Sequence, residues 1–327
     1  MNSLKTENLI SIVIVNWNGK QWLNKCLTSL SKQSYKNTEI IVVDNGSTDG
    51  SVNYIMKNFP KVKIIKNKVN LGFPSANNLG VKESKGKYLL LINQDVWVEN
   101  DFIQALYDYF QSHKFTVISP IERNYEYKRN HVFNSTIDIV GSPASYQTGY
   151  RKDKLFFMSV AYLCKKSDYL ETLGFDDNYF AYYEDVDWFW RMSLMGKKFG
   201  YVDNVFIYHA GAGGSGKGIK YRMFLWRNQN ALQTLLKNYS AISLIFVLPL
   251  YFVQNLAEML IFLLILKPQI AYSYIQGWIF NLQHLKLIIQ KRRWVQKHRV
   301  VGDFEIIKKM YFGIGKLSLL KDYLNKS

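Results

Sequence analysis

Between residues 9 and 120 the chain alternates short runs of β-branched and aliphatic residues with segments of helical period. Leu9–Val15, Glu39–Val43, Val62–Ile65 and Tyr88–Ile92 read as strands. Lys20–Leu30, Asp49–Phe59, Ser75–Ser84 and Asp101–Gln111 read as the helices between them, several opening on an Asp or Ser suited to capping. A βαβ series of this kind predicts an α/β fold with a mostly parallel sheet and crossover helices. Residues 121–150 are polar, tyrosine-rich and poorly periodic, as expected of an inserted loop region. Leu155–Cys164 resumes as a strand, Asp168–Leu173 as a short helix and Glu184–Met195 as another. No internal repeat or low-complexity segment interrupts the series.

Past Tyr221 the pattern changes. Ala241–Leu266 is long and apolar enough to cross a bilayer, but Gln254, Asn255 and Glu258 interrupt its middle, and Pro249 removes a helix hydrogen bond. Three readings stand side by side: a helix lying in a membrane interface, a span or re-entrant hairpin, or a core or dimer-interface helix. The pattern divides the chain into an α/β domain over residues 1–220 and a helical, hydrophobic and basic region over 221–327.

Charge sharpens this picture. The 327 residues carry a formal net charge of +17, and from Lys286 onward 11 Lys and Arg face three Asp and Glu. A basic tail following so apolar a stretch fits an anionic membrane face better than nucleic acid. Two cysteines, Cys26 and Cys164, form no disulfide framework and match no zinc spacing, which suits a reducing cytoplasm. The N-terminal apolar run is too short for a secretion signal. The expected location is the cytoplasmic face of the cell membrane.

Candidate chemistry clusters at strand ends. Asp44 closes Ile40-Ile-Val-Val-Asp44, and Asp95 follows Tyr88-Leu-Leu-Leu-Ile-Asn-Gln. In an open α/β sheet, ligands bind at the carboxyl ends of parallel strands. Further on, Phe180-Ala-Tyr-Tyr-Glu-Asp-Val-Asp-Trp-Phe-Trp-Arg191 surrounds three carboxylates with aromatics, and His209 ends the apolar run Val205-Phe-Ile-Tyr-His. Acids with one late histidine are what a divalent metal and a general base require. Asp187 reads as an acid of the next helix's first turn.

These segments resemble the family 2 glycosyltransferases, inverting sugar transferases of the GT-A fold. The resemblance rests on Leu9–Gly19 (LISIVIVNWNG), Ile40–Ser51 (IIVVDNGSTDGS), Asn70–Gly80 (NLGFPSANNLG), Asn93-Gln94-Asp95, Tyr183-Glu-Asp-Val-Asp187 and Arg227-Asn228. It covers about residues 8–230 and looks closest to bacterial rhamnosyltransferases that build cell-surface polysaccharide. It implies a Rossmann-like GT-A domain and a UDP- or dTDP-sugar held by Asn16, Asp44, Asn77, Asn93 and Asp95. Asp44 would accept from the pyrimidine ring N–H. Asn77 departs from the arginine often found in that segment, which leaves the choice of nucleotide open.

The family's Asp-X-Asp is Asn93-Gln94-Asp95 here, so one acid has become an amide. Mn²⁺ or Mg²⁺ bridging the diphosphate would then rely on Asp95 with help from His209, and a nitrogen donor favours Mn²⁺. Asp185 is the implied general base, with Glu184 orienting it or the acceptor, a glycan or lipid-linked hydroxyl. Homo-oligomerisation stays open.

Two strings point elsewhere. Gly211-Ala-Gly-Gly-Ser-Gly-Lys-Gly218 nearly spells a phosphate-binding P-loop, but Gly218 stands where a Ser or Thr would ligate Mg²⁺. A flap over the diphosphate is the reading adopted, and a P-loop hydrolase the rival. Gln290-Lys-Arg-Arg-Trp294 spells a signature of processive synthases within a basic stretch where such strings arise by chance. A non-catalytic membrane- or nucleic-acid-binding protein is the remaining rival, and it leaves Asp44, Asp95 and Asp185 without a role.

Overall fold

A computed structural model describes residues 8–124, 130–131, 135–145, 160–211 and 221–317. The chain forms two compact units. The first holds the sheet and is assembled from residues 1–132, 158–180 and 198–216; the second takes 133–157, 181–197 and 217–327.

In the first unit, strands β1 (Ile10–Asn16), β2 (Thr38–Asp44), β3 (Lys63–Lys66) and β4 (Tyr88–Asn93) alternate with helices α1 (Lys20–Ser31), α2 (Ser51–Asn58) and α3 (Phe73–Glu83). Then come β5 (Val96–Val98), α4 (Phe102–Ser112), β6 (Val117–Asn124), β7 (Asn130–His131), β10 (Ala161–Lys165), α5 (Lys166–Glu171) and β11 (Phe199–His209). The strand order is β3-β2-β1-β4-β10-β6-β11-β5, with β7 on β6. The half β3-β2-β1-β4 is parallel throughout. There the continuous apolar runs are buried on both faces: Ile12, Val13 and Ile14 are fully buried, as are Val42 and Val43.

The other half departs from the expected parallel order. β10 runs antiparallel to both β4 and β6, β5 antiparallel to β11, and only β6 with β11 is parallel. Strands β5 and β6 carry no helix-and-strand alternation that would announce them, and part of β6 falls inside the expected insert. Within that insert, residues 125–129, 132–134 and 146–150 lie outside the described residues, as do the opening of the expected Leu155 strand and most of the glycine-rich loop.

The helix starts also differ. Asp101 occupies the N-cap of α4 without a side-chain cap bond, and Gly50 and Gly72 precede α2 and α3. Asp49 works one residue earlier, its Oδ1 accepting from the Ser51 amide at 3.0 Å in an Asx turn.

The second unit contains the hairpin β8 (Ser135–Ile137) and β9 (Pro143–Ser145), then α6 (Glu184–Leu194), α7 (Tyr221–Asn238), α8 (Ala241–Leu264), α9 (Pro268–Gln283), α10 (Leu285–His298) and the short α11 (Asp303–Ile307). Pro249 lies within α8, which continues through it. Helix α7 packs on α6, α9 and α10. At its core Asp187 of α6 is fully buried, bonded to Arg191 Nε at 2.8 Å and to Lys237 Nζ at 2.9 Å. Here the buried charge is held in a paired network.

Candidate active site

Strand register sets the candidate residues of the sheet unit. Asn16 pairs with Asp44 across β1 and β2, and Val15 with Asn93 across β1 and β4, so Asn16, Asp44 and Asn93 end their strands along one sheet edge. Asn16 Nδ2 reaches Asp44 Oδ1 at 2.8 Å and the hydroxyls of Ser47 and Ser51 at 3.0 Å. The Ser47 amide donates to Asp44 Oδ2 at 3.1 Å. Both Asp44 oxygens are therefore engaged once, and each keeps a second lone pair for a ligand N–H.

The loops after β1 and β2 are stitched together. Asn18 Oδ1 accepts from the Thr48 amide at 2.8 Å, and Asp49 Oδ2 from the Lys20 amide at 2.9 Å. Gly46 has φ +77°, and a Cβ there would lie 2.8 Å from the Val69 carbonyl carbon, so neither its conformation nor its space admits a side chain. Asn45 holds the facing loop, its Oδ1 accepting from the Asn67 side chain and the Leu71 amide, its Nδ2 donating to Asn70. Asn77 is buried in α3, and its Nδ2 donates to the Phe73 carbonyl one turn earlier. Its described bond is thus internal to the helix.

In Asn93-Gln94-Asp95 the middle residue has a task that the sequence did not suggest. Gln94 Oε1 accepts from the Trp17 amide at 2.9 Å, tying this turn to the loop after β1. Asp95 is almost fully buried, and its carbonyl accepts from the Ala210 amide at 3.0 Å, just past β11. That bond and the pairing of His209 with Val96 bring His209 to Asp95.

The His209 ring lies between two carboxylates: Nε2 is 3.2 Å from Asp95 Oδ2, and Nδ1 is 2.7 Å from Glu122 Oε1. Burial works against a charge on the ring, yet Asp95 and Glu122 outweigh it and push the pKa up to about 10. The contact to Asp95 is close without being aligned, so Asp95 Oδ2 is left buried with no hydrogen-bond donor. Among the described residues no three His, Cys, Asp or Glu side chains form a metal cage by themselves. An acceptor oxygen without a donor beside a ring nitrogen nonetheless suits a hard cation that takes further oxygens from its ligand. Glu122 was not foreseen; a lone acid in a strand carries no sequence signal, and only the pairing of β6 with β11 exposes it.

The second unit presents Glu184 and Asp185. Tyr182 and Tyr183 both have φ +69°, two consecutive non-glycine residues in the left-handed region directly before α6. Asn230 of α7 holds them there, donating from Nδ2 to the carbonyls of Ala181 at 2.9 Å and Tyr182 at 2.7 Å. Tyr183 donates to the Gly141 carbonyl at 2.9 Å, and the Arg227 guanidinium lies 5.0 Å over the Tyr182 ring. Of these braces Tyr183 and Arg227 fell within motifs singled out in the sequence, and Asn230 did not.

Asp185 Oδ1 accepts from the Val186 amide at 2.8 Å. Burial raises the Asp185 pKa to about 6, against the helix-start amides and the Arg227 charge, which lower it. Burial and the neighbouring Asp185 push Glu184 up to about 8, and its Oε2 has no donor. Of the glycine-rich string only Gly211 is described, so Lys217 and the P-loop rival lie outside the described residues. Arg292, inside Gln290-Lys-Arg-Arg-Trp294, donates to the backbone carbonyls of Leu236 and Tyr239, a structural bond that needs no synthase signature.

Two curated relatives come from Streptococcus pneumoniae serotype 4 (strain TIGR4). Glycosyltransferase GlyA is 35% identical over 104 residues, 31% of this chain and 15% of its own length. Glycosyltransferase GlyG is 32% identical over 121 residues, 36% of this chain and 40% of its own. The chain thus matches well under half of either relative. Among solved structures, S. aureus TarS 1-349 in complex with UDP-GlcNAc superposes with a TM-score of 0.59 at 14% identity, covering 92% of this chain and 88% of that one. GalNAc-T7 with UDP, GalNAc and Mn2+ gives a TM-score of 0.60 at 15% identity, over 74% of this chain and 50% of that one. Both show the GT-A fold. The family model "Glycosyl transferase family 2" matches residues 11–173, and through them the chain belongs to glycosyl transferase family 2.

Proposed function

We propose that this protein moves one sugar, with inversion, from a UDP- or dTDP-sugar to a hydroxyl of a glycan or lipid-linked acceptor in cell-surface polysaccharide synthesis. The observation that carries the reading is the pairing of Asp95 and His209 around an orphaned, buried carboxylate oxygen at the ligand-binding edge of a family 2 domain. Asp95 and His209 would hold Mn²⁺ or Mg²⁺, and the cation's contribution is to neutralise charge on the departing diphosphate. The UDP and Mn2+ bound to GalNAc-T7 and the UDP-GlcNAc bound to TarS support this class of donor.

The chain's own groups account for the rest. Asp44, steadied by Asn16 and Ser47, offers lone pairs to the pyrimidine N–H. Asp185 takes the proton of the acceptor hydroxyl as its oxygen bonds to the anomeric carbon and the bond from that carbon to the diphosphate oxygen breaks. A base with a pKa near 6 is ionised at neutral pH while keeping useful basicity. Glu184, held protonated by burial and by its neighbour Asp185, is suited to donate a hydrogen bond rather than to share the negative charge. Rhamnose or another hexose is the expected cargo.

Turnover by Asp185→Asn, set beside donor binding, tests the reading. Turnover should fall by roughly 10²–10⁴-fold, the usual span for losing a general base, while calorimetric binding of UDP or dTDP holds. A variant that keeps more than about a tenth of wild-type turnover removes Asp185 from this role. Tighter binding of GDP than of both pyrimidine nucleotides removes Asp44 from its own.

A further inference from the structure

Helix α8 is built the wrong way round for water. Its polar side chains turn into the unit: Gln254 donates to Ser142 Oγ at 2.7 Å, and Glu258 accepts from the Tyr274 hydroxyl at 2.5 Å and pairs with Lys316. Its buried residues, Val247, Tyr251 and Asn255, recur every four positions along that same stripe. Every exposed residue from Ala241 to Leu266 is apolar. Exposure reaches 73% at Ile242, 68% at Phe246 and 82% at Leu264. A helix docked on a water-soluble domain shows the opposite arrangement.

The apolar surface continues onto neighbouring helices. Helix α9, which packs on both α8 and α10, exposes Tyr272, Ile279 and Leu282. Helix α10 then exposes Leu285 and Ile289 together with Lys286, Arg293 and Lys297. Large contiguous apolar surface marks a partner, and cations at its margin select an anionic one. The exposed residues run round most of α8, whereas a helix seam between two copies would be a narrow stripe.

Length alone allows α8 to cross a bilayer. Its packing argues against that course. In a span, the mid-helix groups Gln254 and Glu258, with Lys316 and the Ser142 hydroxyl bound to them, would sit near the hydrocarbon centre, where ionised groups are costly. Lying in the plane of the membrane leaves all of them on the water side.

We propose that α8 is a monotopic anchor: it lies in one leaflet of an anionic bilayer, its outward face among the acyl chains, with Lys286, Arg293 and Lys297 supplying headgroup attraction. Flotation of the full-length protein with phosphatidylcholine vesicles, with and without phosphatidylglycerol, is the first test. The protein should float with the anionic vesicles, and Phe246→Asp/Leu260→Asp should lower binding at least about tenfold, since each charge opposes insertion by several kcal/mol at depth. Lys286→Gln, Arg293→Gln and Lys297→Gln should each weaken binding to the anionic vesicles roughly fivefold at low salt, and leave binding to phosphatidylcholine alone unchanged.

Nitroxide labels on Leu250→Cys, Leu256→Cys and Leu264→Cys add a reading that tolerates failure of the aspartate variant to fold. Similar immersion depths at all three sites fit the in-plane anchor. Depths graded from one interface to the other overturn it in favour of a span. A protein that ignores both vesicle types and dimerises through this face overturns it in favour of a second copy.

Discussion

Glu184 and Asp185 are adjacent carboxyls at a half-buried helix start, and both hold protons more tightly than the unfolded chain would. The sign of the consequence is fixed. An unfolded carboxyl releases its proton near pH 4, so between about pH 4 and pH 8 the folded state binds more protons and stability falls as pH rises. Glu184→Gln removes the larger part of this penalty. In urea titrations the variant should match wild type near pH 4 and exceed it at pH 8 to 9; equal stability at both ends would mean that Glu184 is solvated.

His209 offers a second test at this scale. The Nδ1 contact to Glu122 keeps a proton on that nitrogen, so a cation that displaced the Nε2 proton would meet the tautomer that a metal ligand needs. Glu122→Ala should weaken Mn²⁺ binding roughly 10–100-fold, read as free Mn²⁺ by EPR, and Glu122→Gln should restore part of it. Unchanged affinity in Glu122→Ala would leave Glu122 as packing only.

Among the elements, legibility followed burial on both faces. Strands β1, β2 and β4 are continuous apolar runs, and their expected ends fall within a residue of those observed. Strand β11 was recognised only from Val205, because its earlier half is separated by a register shift between Val202 and Phe206. Asp44, Asp95 and Asp185 could be found because a motif or a strand end marked them. Glu122 and Asn230 could not, because each is defined by a partner distant in sequence: His209 for one, the carbonyls of Ala181 and Tyr182 for the other.

Asn230 also ties α7 to the turn before the proposed base. Two left-handed tyrosines cost roughly 1–3 kcal/mol each, and the amide of Asn230 offsets that by engaging both carbonyls. Asn230→Ala should let the turn relax and displace Asp185, lowering kcat roughly tenfold or more while KM for the donor holds. A rise in donor KM with kcat intact would instead tie α7 to donor binding.

For the whole molecule, the basic, apolar tail is part of a folded unit rather than an appendage. Arg292 and Gln296 of α10 donate to the last carbonyls of α7, from Leu236 to Tyr239. The Val300 and Val301 amides donate to the Leu194 carbonyl at the end of α6. Asp303 receives the Ser240 amide, and the Gly315 amide donates to Asp138 beside the β8–β9 hairpin. Cutting the chain after Asn238 would strip these partners from the helix that carries Glu184 and Asp185, leaving helix-end carbonyls and Asp138 Oδ2 unmet at about 1–3 kcal/mol each. A few such losses equal the stability of an ordinary domain. Truncation after Asn238 should therefore abolish transfer and lower the thermal midpoint by well over 10 °C, or eliminate the transition. The sheet unit, whose strands form no part of the deleted segment, should retain nucleotide binding where it can be recovered. Calorimetry with UDP beside a thermal melt of the truncated protein separates the two effects. A truncated chain that still transfers sugar would show that the tail serves attachment alone.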